Sequence, residues 1–488
     1  MGKGYKTILL KQHIGAPATA LVSVGDEVRP GSLLAKPEKL GARIFSSTAG
    51  RVKELTDSAV VIEESGEQLE DFVKIEPEDE ELLSFVRAAG VVGMGGAGFP
   101  TDVKLKLDLK NGYVLVNAAE CEPLLAHNMK QIMEQCEKTL RGVEYCMKIT
   151  HAPQAVIAIK AKHKREIEEL KKYLPEHPGI GIHLLPDLYP MGEERAVVRE
   201  VLGKLLPPTA LPSAADAVVI NVETVLRVAE AIEDRRPVFT KNLTVAGKLK
   251  KGTESQVFQD VPIGTTVGEL IERAGGIDGE YGEIILGGPF TGHAVGMDEP
   301  ITKTTGGIIV TEPFPDLKKA KLGLLLCACG GNRERMEDLA KKYNAVVTEV
   351  QACKQAVDVK GTLKCENPGN CPGQAQKCLN FKKAGCTDIL IGNCSDCTNT
   401  VMGSAPKLGL VVHHQTDHVF ETVGMEPMRY LTKSKKVEEE AEEAVKEAAP
   451  SEPQGGEESQ EQDYVFRTED GCFSIHIGSG RDIHIEVV

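Results

Sequence analysis

The sequence predicts a multidomain α/β protein, and three observations predict it. Short strands separated by turn residues fill the first 75 positions. Apolar runs then alternate with helical stripes from about 76 to 235, the pattern of a doubly wound sheet. Ten of the thirteen cysteines lie between Cys327 and Cys397 or in the tail. In a chain without a secretory pattern, such crowding points to metal or redox chemistry rather than to disulfides. A length of 488 residues suits three or four domains. The net charge of −15 excludes nucleic acid and anionic membrane surfaces as expected partners, because both repel such a protein. No apolar run approaches the ~18–20 residues of a membrane span, and no N-terminal signal pattern is evident. A soluble cytoplasmic protein without membrane insertion is expected.

Taken in order, Val24–Val28, Pro30–Ala35 and Ile44–Val52 give the strands of a β module over 1–75. In the α/β region, Val114–Asn117, Ala155–Ile159, Ile180–Leu185 and Ala217–Ile220 read as buried strands. Met129, Ile132, Met133, Cys136, Leu140 and Val143 form one helical stripe, which makes Cys136 a core residue rather than a ligand. Residues 236–318 supply further strands at Leu243–Gly247 and Ile284–Gly288, with a helix from Val267 to Ala274 between them. Residues 319–432 are the cysteine-rich segment. An acidic stretch over 433–463 cannot bury enough apolar surface to fold. Alternation in 464–488 predicts a hairpin of two strands joined at Gly478–Gly480.

The functional signal begins at Gly93-Met94-Gly95-Gly96-Ala97-Gly98-Phe99-Pro100-Thr101. Such a loop carries almost no side-chain bulk, so its amides can approach a flat ring or a phosphate at contact distance. Lys104 follows as a counter-charge. Asn117-Ala118-Ala119-Glu120-Cys121-Glu122-Pro123 stands at the end of one strand, and Asn221-Val222-Glu223-Thr224 at the end of another. Between them lies Gly192-Glu193-Glu194. Carboxylates gathered where strands stop suit hydrogen bonds to the ribose and carboxamide groups of a dinucleotide.

These four motifs, in this order, resemble the flavin and nicotinamide domain of the RnfC family and of the NADH-oxidising subunit of respiratory complex I. The resemblance implies FMN and NADH as cofactors. It assigns their binding to Gly93, Gly95, Gly96, Gly98, Phe99, Lys104, Asn117, Glu120, Glu122, Gly192, Glu193, Glu194, Asn221 and Thr224, with no acid or base catalyst in the protein. Complex I has an arginine where this chain has Met94, which brings the chain nearer to RnfC. The resemblance further implies an N-terminal barrel-sandwich hybrid over 1–75 and an SLBB β-grasp domain over 236–318. Lys39 sits where biotinyl domains carry their modified lysine, but its neighbours Glu38 and Leu40 are not the flanking methionines. The hybrid is expected without a prosthetic group.

RnfC carries two ferredoxin-type cysteine runs, and neither is present here. Instead a strand over Leu322–Leu326 ends in Cys327-Ala328-Cys329-Gly330, and one over Asp388–Ile391 ends in Asn393-Cys394-Ser395-Asp396-Cys397. Between them stands Cys371-Pro372-Gly373-Gln374. These elements resemble the N-terminal iron–sulfur domain of the HdrA-type component of heterodisulfide reductase. Converging thiolates at two strand ends suit a [4Fe–4S] cluster held by Cys327, Cys329, Cys394 and Cys397, with Cys371 reaching in. Tetrahedral zinc and a Cys394–Cys397 dithiol remain open alternatives. His413, His414, Asp417 and His418 read as a solvated strand end rather than a metal site, and Cys472 as a structural cysteine.

The whole arrangement resembles the RnfC-like electron-transfer proteins that accompany D-proline reductase. That implies an NADH-oxidising flavoprotein passing electrons through FMN and the cysteine centre to a partner reductase. A peripheral component of an Rnf-type ferredoxin:NAD oxidoreductase and a zinc-stabilised nucleotide-binding adaptor are the alternatives. The oligomeric state is open, a homo-oligomer included.

Overall fold

The computed structural model describes residues 4–65, 71–96 and 98–425, and the backbone of three strands between 462 and 487. It divides into two units, 1–431 and 432–488. The first unit opens with strands β1 (Tyr5–Leu9), β2 (Thr19–Ala20), β3 (Glu27–Val28), β4 (Leu33–Lys36), β5 (Ile44–Phe45), β6 (Gly50–Leu55) and β7 (Ala59–Glu64). They form two antiparallel sheets, ordered β1-β7-β6-β3 and β2-β4-β5. Ile8, Leu34, Ile44, Val60 and Ile62 close the core between them. Alternation along β6, with Gly50 and Val52 buried but Arg51 and Lys53 exposed, is the pattern of a sheet wet on one face. Lys39 is exposed between β4 and β5.

The next sheet is wholly parallel: β8 (Tyr113–Ala118), β9 (Gln154–Lys160), β10 (Ile180–Leu185) and β11 (Ala217–Asn221), in the order β10-β9-β8-β11. Continuous burial of Val114, Leu115 and Val116 reflects helices on both faces. The stripe from Met129 to Val143 is two helices, His127–Glu134 and Cys136–Thr150, rather than the single one expected. Gln135 departs from helical geometry (φ −134°, ψ 35°), so the chain turns while keeping Ile132, Cys136 and Leu140 in one core.

A mixed five-stranded sheet follows, built from β12 (Thr240–Gly247), β13 (Gln256–Pro262), β14 (Ile284–Leu286), β15 (His293–Val295) and β16 (Gly307–Val310). Its order is β13-β12-β16-β14-β15, with helix Val267–Arg273 packed on it. The last sheet of this unit is parallel: β17 (Lys321–Leu326), β18 (Val346–Ala352), β21 (Asp388–Ile391) and β22 (Val411–His414), ordered β18-β17-β21-β22. A hairpin of β19 (Ala356–Val359) and β20 (Thr362–Cys365), not anticipated from sequence, projects beside it.

Buried charges bolt these layers together. Glu283, beside β14, accepts from Arg335 Nη1 at 2.9 Å, Lys342 Nζ at 3.0 Å and His418 Nε2 at 2.8 Å. Arg335 and His418 hold its carboxyl far below the usual carboxylate range despite burial. Removing one member of such a set strands the others in a dry site. Glu283→Ala is therefore expected to cost about 3–5 kcal/mol and to expose the 312–321 connection to protease, as read by calorimetry and limited proteolysis. Lys303 acts similarly: fully buried, it donates to the carbonyls of Arg43 (2.6 Å) and Gly90 (2.7 Å). That joins the N-terminal module to the segment leading into the glycine loop.

In the second unit, β23 (Gln462–Thr468), β24 (Gly471–Ile477) and β25 (Ile483–Val487) form an antiparallel sheet. The expected hairpin is thus three-stranded, because the β-prone run Tyr464–Val465–Phe466 adds a strand. The acidic stretch expected as a linker lies, up to 461, outside the described residues, as does the side chain of Cys472.

Among the described residues, no helix is long and apolar enough to cross a membrane.

Candidate functional site

The parallel sheet β10-β9-β8-β11 reverses its winding between β8 and β11. At such a switch point, connections leave in opposite directions and a crevice opens at the carboxyl ends of the strands. Asn117 and Asn221, the last polar residues of the two strands, are register partners there. Asn117 donates to Gly192 O (2.8 Å) and receives the Ala119 amide (3.1 Å). Asn221 caps helix Val222–Ala229, accepting the Glu223 amide at 2.9 Å. One turn on, the Thr224 hydroxyl accepts the Met94 amide at 2.9 Å, which fastens the glycine loop over the crevice.

The crevice encloses about 350 Å³, within the range of small-molecule sites. Of the residues expected from sequence, Gly95, Gly96, Asn117, Glu120, Glu122, Gly192, Glu193 and Asn221 line it. Gly93 and Gly98 form the neck of the loop instead, with the Gly98 amide on Gly93 O at 3.1 Å and the Gly93 amide on Phe99 O at 2.9 Å. Lys104 and Glu194 are absent from the cavity wall and form an ion pair with each other. The expected counter-charge for a phosphate is thus already neutralised within the protein.

Glu122 lines the cavity yet accepts the Phe290 amide at 2.7 Å and the Thr291 hydroxyl. A Cβ at Gly288 would stand 2.3 Å from that carboxyl, so the glycine lets the loop close on it. Glu122 therefore pins the 288–291 loop across the crevice. Glu193 caps helix Glu194–Leu202 and also holds Arg195.

Sequence reasoning missed Met94, His127, Asn128 and Tyr189 in the lining, and Thr291 and Thr304 from the following sheet. The last two carry no local signal, being brought in by packing between sheets.

Glu120 is desolvated in this cavity and faces the Glu122 charge, which together push its carboxyl up to about 8. It is consequently protonated at neutral pH. His127, buried and near the Lys241 charge, is held down to about 3 and is a neutral imidazole. The sign for Glu120 follows from linkage. Its folded pKa exceeds the unfolded value near 4.5, so its contribution is fully present below pH 4.5 and is lost as pH rises towards 8. Glu120→Gln should flatten that loss. Thermal melts at pH 5.5 and 8.5 should differ less in the variant than in the parent.

The second cavity lies at the switch point of the other parallel sheet, between the carboxyl ends of β17 and β21. The expected ligands Cys327, Cys329, Cys371, Cys394 and Cys397 all line it, and Cys353 and Cys365 join them. The last two were not anticipated; they come from the end of β18 and from the unpredicted hairpin. Cys378 and Cys386, in contrast, are core residues.

Cys329 sits within hydrogen-bonding reach of both Cys365 and Cys394, which raises its own thiol and lowers theirs. Cys371 receives a hydrogen bond from Cys397 and falls to about 5, while Cys397 is raised correspondingly. The Gln374 amide bridges Cys353 and Cys371 at 3.2 Å each. Among the described residues, no three His, Cys, Asp or Glu side chains converge on one ion position; Cys365 and Cys394 flank Cys329, Cys371 stands by Cys397, and Cys327 and Cys353 line the cavity beside them.

Two arginines behind the Gly-Glu-Glu motif hold this centre against the first cavity. Arg195 donates to Cys365 O at 2.7 Å, and Arg199 to Pro368 O at 2.6 Å. Tyr189 and Ser395 exchange hydrogen bonds of 2.9 and 3.0 Å. As a result Ala328 and Cys329 line both cavities. The histidines scatter: His413 bonds Asp388, His414 bonds Thr398, and His418 bonds Tyr343 and Glu283. His414 and His418 are buried, so the expected solvated strand end is in fact an interior set of separate contacts.

Two family models match the chain: the RnfC barrel sandwich hybrid domain over 3–80 and the Nuo51 FMN-binding domain over 86–230. The RnfC-type component of the proton-translocating ferredoxin:NAD(+) oxidoreductase complex of Clostridium ljungdahlii is 35% identical over 62% of this chain and 69% of its own. The chain belongs to the RnfC-like family. The corresponding component of the Na(+)-translocating complex of Acetobacterium woodii is 31% identical over 62% of this chain and 72% of its own. Cobalamin reductase PduS of Salmonella typhimurium is 36% identical over 65% of this chain and 66% of that protein. The chain therefore spans about two thirds of the length of these three relatives.

The RnfC-like chain's first cavity fits a flavin by its own geometry. It is walled on one side by the bare Gly95–Gly96 backbone, and the buried Asn128 Oδ1 lining it has no hydrogen-bond partner among the described residues. The second cavity offers seven sulfurs and no imidazole, a donor set suited to a thiolate-held centre.

Proposed function

We propose that this protein takes electrons from NADH on FMN in the first cavity and passes them through the cysteine centre to a partner reductase. The single observation that carries the reading is the shared wall: Ala328 and Cys329 border both cavities. Bound FMN supplies the step from two-electron hydride acceptance to one-electron release. The chain's own part is positional. Thr224 and Asn221 hold the glycine loop, Asn128 presents an amide oxygen, and neutral Glu120 offers a hydrogen-bond donor where a carboxylate would repel reduced flavin.

Cys327 and Cys329 at one strand end, with Cys365 and Cys394 beside Cys329, are the set that would hold an iron–sulfur cluster, since four thiolates suffice. The five-stranded sheet over 236–318 is read as the SLBB β-grasp domain, which lends Thr291 and Thr304 to the wall of the first cavity. D-proline reductase is the acceptor that the sequence resemblance suggests. Likeness to the RnfC-type components of two ion-translocating complexes favours a second reading, a peripheral member of such a complex.

Anaerobic purification tests the proposal. A yellow-brown protein whose flavin bleaches with NADH is expected, with iron and acid-labile sulfide rising and falling together. A colourless, zinc-containing protein would replace it with the adaptor reading. Co-purification with membrane proteins of an ion-translocating assembly would favour the complex.

A further inference from the structure

The seven thiols do not form one equivalent set, and their grouping points outward. Cys329, Cys365 and Cys394 gather around the sulfur that borders the first cavity. Cys371 instead packs on the helix that carries Cys397: its amide donates to Asp396 Oδ2 at 2.7 Å, and the two thiols line the same cavity. Cys371 is half-buried, between exposed Asn370 and Pro372, whereas Cys397 is buried on the first turn of helix Ser395–Met402. The Cys371 sulfur also receives the Gln374 amide at 3.2 Å and faces the Thr400 hydroxyl at 3.4 Å. An accessible thiol backed by a buried one is the arrangement of an attacking and a resolving cysteine.

We propose that Cys371 and Cys397 are an exit dithiol that reduces a disulfide in a protein partner. This rests on the proposed delivery of electrons from reduced flavin, and it identifies the acceptor class of that same route. Two electrons from the flavin side and two protons from water break the Cys371–Cys397 disulfide into two thiols. The Cys371 thiolate then attacks the partner's disulfide, forming a mixed disulfide and releasing one partner thiol. Cys397 attacks the Cys371 sulfur, re-forms the internal disulfide and releases the second partner thiol. The partner gains the two electrons and the dithiol is oxidised again.

Insulin serves as the disulfide probe, with full-length protein under anaerobic conditions. Cys397→Ser, or Cys397→Ala should the serine variant fold poorly, is expected to trap a mixed disulfide that peptide mass mapping places at Cys371. The double variant lacking both thiols should trap none. The oxidised parent should yield a Cys371–Cys397 linked peptide. Absence of the trapped species at Cys371, or mapping of it to another cysteine, overturns the proposal. So does a fall in iron and sulfide in Cys371→Ser, which would make Cys371 a cluster ligand. Trapping depends on thiol chemistry and not on NADH. A protein that traps insulin at Cys371 but whose flavin ignores NADH would therefore refute the donor while leaving the exit dithiol standing.

Discussion

Replacing Gly96 by valine is expected to strip the protein of flavin while leaving its fold intact. Gly96 adopts φ +107°, a conformation that L side chains rarely reach, and a Cβ there meets nothing within 4 Å. The substitution therefore disturbs no core contact. It places a branched side chain on a residue that lines the cavity, and it strains the loop. A left-handed backbone costs a non-glycine residue roughly 1–2 kcal/mol, about a 5- to 30-fold shift in the population of the binding conformation. Occupation of the cavity adds to that. Flavin content after gel filtration should fall below about one-tenth of the parent's, with an unchanged far-ultraviolet circular dichroism spectrum. Normal flavin content would remove the loop from the site.

Cys329→Ala should separate the two halves of the reaction. Cys329 borders both cavities and lies within reach of Cys365 and Cys394, so its loss removes the sulfur from the wall that the two sites share. The flavin cavity keeps its glycine loop, Asn117, Asn221 and Glu120. Anaerobic stopped-flow should therefore show flavin bleaching by NADH at close to the parental rate. Onward transfer should drop at least about tenfold, equivalent to ~1.4 kcal/mol on the barrier, as read by reduction of insulin disulfides. A variant that bleaches and passes electrons normally would take the cysteine centre off the route.

Much of this protein could be read from its sequence, and the readable part is local. The Gly93–Thr101 loop, the strands before Asn117 and Asn221, and those before Cys327 and Cys394 are each written in a few adjacent residues. Their periodicity and turn chemistry act within one element. Because both sheets are parallel, strands that end in polar or sulfur residues bring those residues to one edge. That is why two separate sites were visible before any contact was known. Cys136 was likewise legible as core from its stripe, and it lies at 4% exposure.

What only the tertiary structure decided is who partners whom across long stretches of chain. Lys104 is neutralised by Glu194, 90 residues away, and Glu122 is spent on Phe290, 168 residues away. A charge has the same sequence signature whether it meets a ligand or a neighbouring loop, so spacing cannot separate the two uses. Cys353 reaches the thiol cavity from the end of β18, its amide on Leu326 O at 2.7 Å, and Cys365 does so because Arg195 holds its carbonyl and Arg199 that of Pro368. The pairing of Cys371 with Cys397 and the shared wall at Cys329 are of the same kind. They depend on the packing of one sheet against another, where burial and unpaired polar groups set the geometry and no local pattern records it.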